Sequence, residues 1–172
     1  MAPSIPSATA QEARVPVDRD RFFRLMGSFA SGVTVVTSLE EDGVPRGFTA
    51  SSFASLSLDP MLCLVCVDLT GETLPALQAS RAFVVNVLAE HQEEISRRFA
   101  SKAEDKFVGL SYHAAPASGA PIFDGVLAWI ECRVTEMLPG GDHLVMLGEL
   151  LGGEAYEGSP LLYFRGGYRR LA

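Results

Sequence analysis

Short apolar runs closed by turn signals dominate this chain, and segments with the three-to-four-residue spacing of an amphipathic helix are few. Asp18 is suited to cap a first helix. Phe22, Met26, Phe29 and Ala30 follow at helical spacing, and Gly32 supplies a stop. Val33-Thr-Val-Val-Thr37 is β-branched throughout and predicts a strand. The Glu40-Glu-Asp-Gly43 turn then folds 44–53 back on 33–38 as a hairpin. Asp59-Pro60 breaks the chain before a strand at 61–67, and Thr73 with Pro75 opens a short helix. Phe83-Val-Val-Asn-Val-Leu88 is a further strand. Glu90 to Phe99 is charged and helical, with Ile95 and Phe99 on one face. Residues 100–124 show little periodicity and several turn formers, which predicts a long surface excursion. Two long strands at 125–138 and 143–151 meet at the Pro139-Gly-Gly-Asp142 turn. Leu161-Leu-Tyr-Phe164 is a last strand before the tail 165–170.

Many strands with hairpin-like connections and few helices favour a mainly β architecture, an antiparallel barrel, over a doubly wound α/β sheet. The glycine fingerprint of a Rossmann domain, placed after a strand and before a helix, is missing, so a nicotinamide cofactor would bind by another route. At 172 residues the chain is most simply one domain, here 15–172, preceded by a disordered tail at 1–14. That tail lacks the basic and apolar regions of a signal peptide, and no apolar run is long enough to span a membrane.

Charge and cysteine usage narrow the function classes. The net charge is −7 and no block of Lys and Arg stands out, which argues against a nucleic-acid footprint. Cys63 and Cys66 have CxxC spacing, but three positions apart in a strand they point to opposite faces and do not converge on a metal. With Cys132 they make an odd count without disulfide-like spacing, which fits a reducing cytoplasm.

The densest chemistry lies in Gly47-Phe-Thr-Ala-Ser-Ser-Phe-Ala-Ser-Leu-Ser-Leu-Asp-Pro60. Small hydroxyl residues let a ligand approach the backbone closely and offer donors to an anion without adding charge. The stretch reads as a site for a flat, polar-edged, phosphate-bearing molecule, or as a Ser/Thr-rich edge strand that satisfies its own backbone. Asn86 stands alone in an apolar strand, where its amide needs partners. Ser101, Lys102 and Lys106 offer a short donor and point charges to a phosphate, or are solvated surface groups.

Several ordered pieces resemble one family, the small flavin reductases of two-component monooxygenases. They are Phe29-Ala-Ser-Gly-Val-Thr-Val-Val-Thr37, Gly47-Phe-Thr-Ala-Ser-Ser-Phe53, Phe83 to Leu88, Arg98-Phe-Ala100, Asp105-Lys-Phe107, Gly141-Asp-His143 and Leu162-Tyr-Phe164, and they span about 18–170. The resemblance implies a split antiparallel Greek-key β-barrel of the FMN-binding type. It implies an NAD(P)H:flavin oxidoreductase that passes hydride to N5 of FMN or FAD and supplies reduced flavin to a partner monooxygenase. It places Thr49, Ala50, Ser51, Ser52, Asn86, Ser101 and Lys106 at the flavin; for Asn86 a barrel-closing bond to a loop is the other reading. Gly141, Asp142 and His143 fall on the family's nicotinamide element, where His143 positions the dinucleotide and Asp142 orients the ring. Arg165, Tyr168 and Arg169 are candidates for a lip over the site, Tyr168 on the nicotinamide side. A homodimer in the cytoplasm, with no metal, membrane or nucleic-acid partner, completes the expectation. Two alternatives stand beside it: a flavin-binding electron carrier without NAD(P)H turnover, and a related reductase acting on another acceptor such as a corrinoid.

Overall fold

The computed structural model describes residues 16–171; the proposed tail at 1–14 lies outside them. In chain order the elements are α1 (Arg19–Met26), β1 (Ser31–Gly32), β2 (Thr34–Leu39), β3 (Pro45–Ala50), β4 (Ala54–Leu58), β5 (Met61–Asp68) and α2 (Leu74–Ser80). Then come β6 (Ala82–Val87), α3 (Glu93–Ala100), β7 (Tyr112–Ala114), β8 (Pro121–Phe123), β9 (Ala128–Gly140), β10 (His143–Ala155), β11 (Leu162–Phe164) and β12 (Gly167–Arg169).

Seven strands form one sheet in the order β3-β2-β6-β9-β10-β5-β4, every neighbouring pair antiparallel. Its two edge strands, β3 and β4, are consecutive in the chain and joined by residues 51–53 alone. So short a link spans no more than about 14 Å, and the sheet must curl until its edges approach. The edges do not pair with each other, so the barrel is split at that seam. Round the barrel the strands run β2-β3-β4-β5 and return β10-β9-β6, a Greek-key order.

Alternation along the strands divides the core in two. Val36 of β2 packs with Cys63, Val65 and Val67 of β5, Phe83 and Val85 of β6 and Met146 of β10, and α2 adds Leu74 and Leu77. Val35, on the other face of β2, and Val33 just before that strand pack with Phe99 of α3, Phe123 of β8 and Leu161. β2 is therefore covered on both faces, which its β-branched run anticipates. On β5, Cys63 points inward with Val65 and Val67 while Cys66 takes the opposite parity; all three cysteines are free.

Four expectations need correction. The first helix ends at Met26 with Gly27 as its C-cap, well before Gly32, and buries none of its residues. The stretch 47–60 is two strands broken at the seam, because residues 51–53 must cross from one sheet edge to the other. Residues 100–124 are not a wholly exposed excursion: β7 and β8 pair, and Ala115, Ala120, Ile122 and Phe123 are buried. The buried Glu131 carboxylate pins this hairpin by accepting from the backbone N–H groups of Ala117 and Ser118 and from the Ser118 hydroxyl. The segment after Phe164 is not a plain tail, since β12 pairs with β11 and β11 with β1.

Candidate active site

The seam is held by the hydroxyls of the segment that crosses it. Thr49 Oγ1 donates to the Ser96 carbonyl of α3 at 2.6 Å, and Thr34 Oγ1 donates to the Ala50 carbonyl at 2.9 Å. Ser52 Oγ accepts from the Cys66 N–H of β5 at 3.0 Å. Thr49 thus ties the β3 edge to α3 and Ser52 ties the crossing to β5, while Ser51 between them is exposed. Gly47 lets α3 come this close, since a Cβ there would lie 2.9 Å from Cε1 of Phe99 and 3.0 Å from the Val36 carbonyl.

Between these pieces opens a cleft of about 610 Å³ lined by Phe48 to Ser52, by Cys66 to Asp68, by Thr70 to Thr73, by Phe99 to Lys102, and by Lys106 and His143. That volume suits a nucleotide-sized ligand. The wall 68–73 is shaped locally. Asp68 Oδ1 accepts from the Thr70 N–H at 2.7 Å and from its hydroxyl at 2.8 Å, and the Gly71 N–H donates to the Asp68 carbonyl. These bonds hold the Asp68 carboxyl below the usual carboxylate range, with His143 and Lys102 adding to the effect. At the end of α3, Ser101 Oγ donates to the Arg98 carbonyl at 2.7 Å, and Lys106 reaches in with its side chain only 12% exposed. Lys102, Lys106 and His143 thus line the cleft together with Asp68 and Glu72.

His143 begins β10 directly after a two-residue turn, and Gly141 takes the positive φ of +79° that the turn needs. Asp142 Oδ1 lies 2.7 Å from His143 Nδ1, and the Asp142 carbonyl accepts from the Leu69 N–H. The ring is therefore oriented through Nδ1, leaving Nε2 for a ligand. A second groove, of about 1040 Å³, shares Ser51 and His143 with the cleft and runs along Phe22, Phe23, Met26 and Phe29 to Tyr163 and Arg165.

Of the residues singled out in the sequence, Thr49, Ala50, Ser51, Ser52, Ser101, Lys106 and His143 all line the cleft. Gly141 and Asp142 stand behind His143. Asn86, Tyr168 and Arg169 do not join them, and Arg165 lines only the second groove. Asn86 is fully buried: its Nδ2 donates toward Val35 O, Thr37 Oγ1 and Pro121 O, and its Oδ1 accepts from the Phe123 N–H at 2.8 Å. Its amide is spent on tying β8 to the barrel, the barrel-to-loop bond that was the other reading of its sequence position. Tyr168 packs on α3, its hydroxyl 2.8 Å from Ser96 Oγ and its ring under the Arg97 guanidinium. Sequence reasoning missed the wall Asp68 to Thr73. The Asp-Leu-Thr-Gly turn signal after β5 marks it as a fixed loop, but nothing in the residues says that it faces β3.

Among the described residues, no group of three or more His, Cys, Asp or Glu is gathered to hold a metal ion, and no helix is long and apolar enough to cross a membrane. Fold and cleft together define a split antiparallel barrel with a nucleotide-sized cleft at its open seam. The chain belongs to the flavin reductase like domain family, which matches residues 26–172. Membership makes it an oxidoreductase of the flavin reductase kind. It is 43% identical over 162 residues to the reductase subunit HsaB of a flavin-dependent monooxygenase from Rhodococcus jostii, covering 94% of this chain and 80% of that one. A solved nitrilotriacetate monooxygenase component B from Mycobacterium thermoresistibile superposes with a TM-score of 0.85 at 41% identity, covering 90% of this chain and 87% of that one. The NADH:FAD oxidoreductase SgcE6 of Streptomyces globisporus, solved in complex with NAD and FAD fragments, gives 0.86 at 38% identity, covering 90% and 93%.

Proposed function

We propose that this protein is the reductase component of a two-component system: it reduces FMN or FAD with NADH or NADPH and releases the reduced flavin to a flavin-dependent monooxygenase. The observation that carries this reading is one cleft at the barrel seam that gathers Thr49 to Ser52, Ser101, Lys106 and His143. When bound, the flavin supplies N5 as acceptor for the hydride from C4 of the nicotinamide.

The chain's own residues bind and orient. Ser51 and the backbone of Ala50 to Ser52 meet the polar edge of the ring system, and Thr49 and Ser52 act mainly by keeping the seam rigid. Lys106, with Lys102 and Ser101 beside it, receives the phosphate. His143, its ring set by Asp142, holds the nicotinamide dinucleotide at the junction of cleft and groove. Tyr168 supports this arrangement from behind, through Ser96.

A single flavin reductase-like domain over 15–172, a cytoplasmic setting and a homodimer belong to the same reading. The dimer is supported by the apolar residues left uncovered along α1: Phe22, Phe23, Leu25 and Met26 are each more than half exposed, and Phe29 is 78% exposed. The test of the reaction is anaerobic mixing of the protein with NADH or NADPH and each of FMN, FAD and riboflavin. Flavin bleaching that depends on protein is expected with at least one pair; bleaching with none overturns the reading.

A further inference from the structure

Lys106 already has a partner in the cleft. Its Nζ lies 3.9 Å from Oε2 of Glu72, and both residues line the space assigned to the flavin. The two are unequal: the lysine side chain is 12% exposed and the glutamate 55%. The lysine is enclosed by the cleft, and the glutamate stands half in solvent. The Glu72 backbone is fixed by the turns on either side, where the Gly71 N–H donates to Asp68 O and the Leu74 N–H to Gly71 O. The neighbouring Arg46 is bonded to Glu40 at 2.8 Å and acts on Glu72 only through its field.

We propose that Glu72 is a specificity-determining residue: its carboxylate competes with the flavin phosphate for Lys106, and so weakens retention of phosphorylated flavins, FMN most. This rests on the assignment of Lys106 to the phosphate. A phosphate arriving at Lys106 meets a like charge within a few ångströms and must turn Glu72 into solvent. A half-exposed ion pair at this separation is weak, so the obstacle is soft. Its size follows the charge of the arriving group. The monoester of FMN carries about −1.5 to −2 at neutral pH, each bridging phosphate of FAD is singly charged, and riboflavin has none. For an enzyme whose reduced flavin must leave, a resident competitor favours release without altering the surface that meets the ring.

The experiment is equilibrium titration of FMN, FAD and riboflavin into the full-length protein, followed by flavin fluorescence, for wild type, Glu72→Gln, Lys106→Met and the double variant. Glu72→Gln is expected to tighten FMN binding roughly three- to ten-fold, to tighten FAD less, and to leave riboflavin within about twofold of wild type. In the Lys106→Met background the same change should gain less, because only the direct repulsion between carboxylate and phosphate remains. FMN affinity unchanged or weakened by Glu72→Gln overturns the proposal. So does an equal gain for FMN and FAD, a gain for riboflavin as large as that for FMN, or a gain of undiminished size without Lys106. Wild-type protein that binds none of the three flavins overturns the flavin cleft itself, a different failure from flavin binding that ignores Glu72.

Discussion

His143 gains its meaning from what fixes it. An exposed histidine after a Gly-Gly turn is ordinarily a surface residue. Here Gly141 closes the turn, Asp142 engages Nδ1 at 2.7 Å, and β10 registers the residue opposite Asp68, at the mouth of the cleft. A positioning residue of this kind acts on the dinucleotide more than on the flavin. His143→Ala should therefore raise the KM for NAD(P)H several-fold, on the order of a lost charged or neutral hydrogen bond, with flavin Kd nearly unchanged. Steady-state kinetics alongside flavin titration checks this; collapse of flavin binding with an unmoved KM contradicts it. Placement in the cleft was legible in the sequence wherever the residues lay in a compact motif, as with Thr49 to Ser52 and His143. It was not legible for Asn86, whose solitary amide in an apolar strand suits a ligand contact and a structural tie equally. Only the placement of β8, which brings Pro121 O and Phe123 N to the amide, separates the two.

The cleft is a property of how α3 and the crossing 51–53 meet the sheet edges. α3 docks on β3 through Phe99, which stacks edge-on with Phe107 at 4.9 Å and lies over Gly47. The Thr49–Ser96 bond adds a polar tie. Gly47→Val would drive a side chain into the Phe99 ring and the Val36 carbonyl, neither of which has room to retreat. Destabilisation of about 1–3 kcal/mol is expected, together with weaker flavin binding as Ser101 and Lys106 move with the helix. Urea midpoints and flavin titration measure both; full stability with wild-type affinity contradicts this account of α3. Most strands were readable from β-branched runs and turn signals. The split of 47–60 into two strands was not, because the break serves barrel closure and leaves no local trace beyond a run of serines. The β7–β8 hairpin was hidden for a similar reason: its three-residue strands are too short for periodicity, and they are fixed by Glu131, distant in sequence.

For the whole molecule, the barrel explains the position of the cleft but not the apolar residues of α1, which find no core among the described residues. An eight-residue helix with no buried residue is marginal on its own, and a second copy of the chain over it would cover Phe22 and Phe29 beside the groove that reaches His143. Phe22→Glu combined with Phe29→Glu is accordingly expected to turn a dimer into a monomer in sedimentation or light scattering; a wild-type monomer, or a dimer indifferent to both changes, removes α1 from the interface. Flavin bound at the seam between β3 and β4 should be visible in hydrogen exchange of the protein with and without saturating flavin. Slowed exchange is expected at the amides of 48–52, 66–73 and 99–106, with the β7–β8 hairpin unchanged; protection confined to segments away from the seam would place the flavin elsewhere.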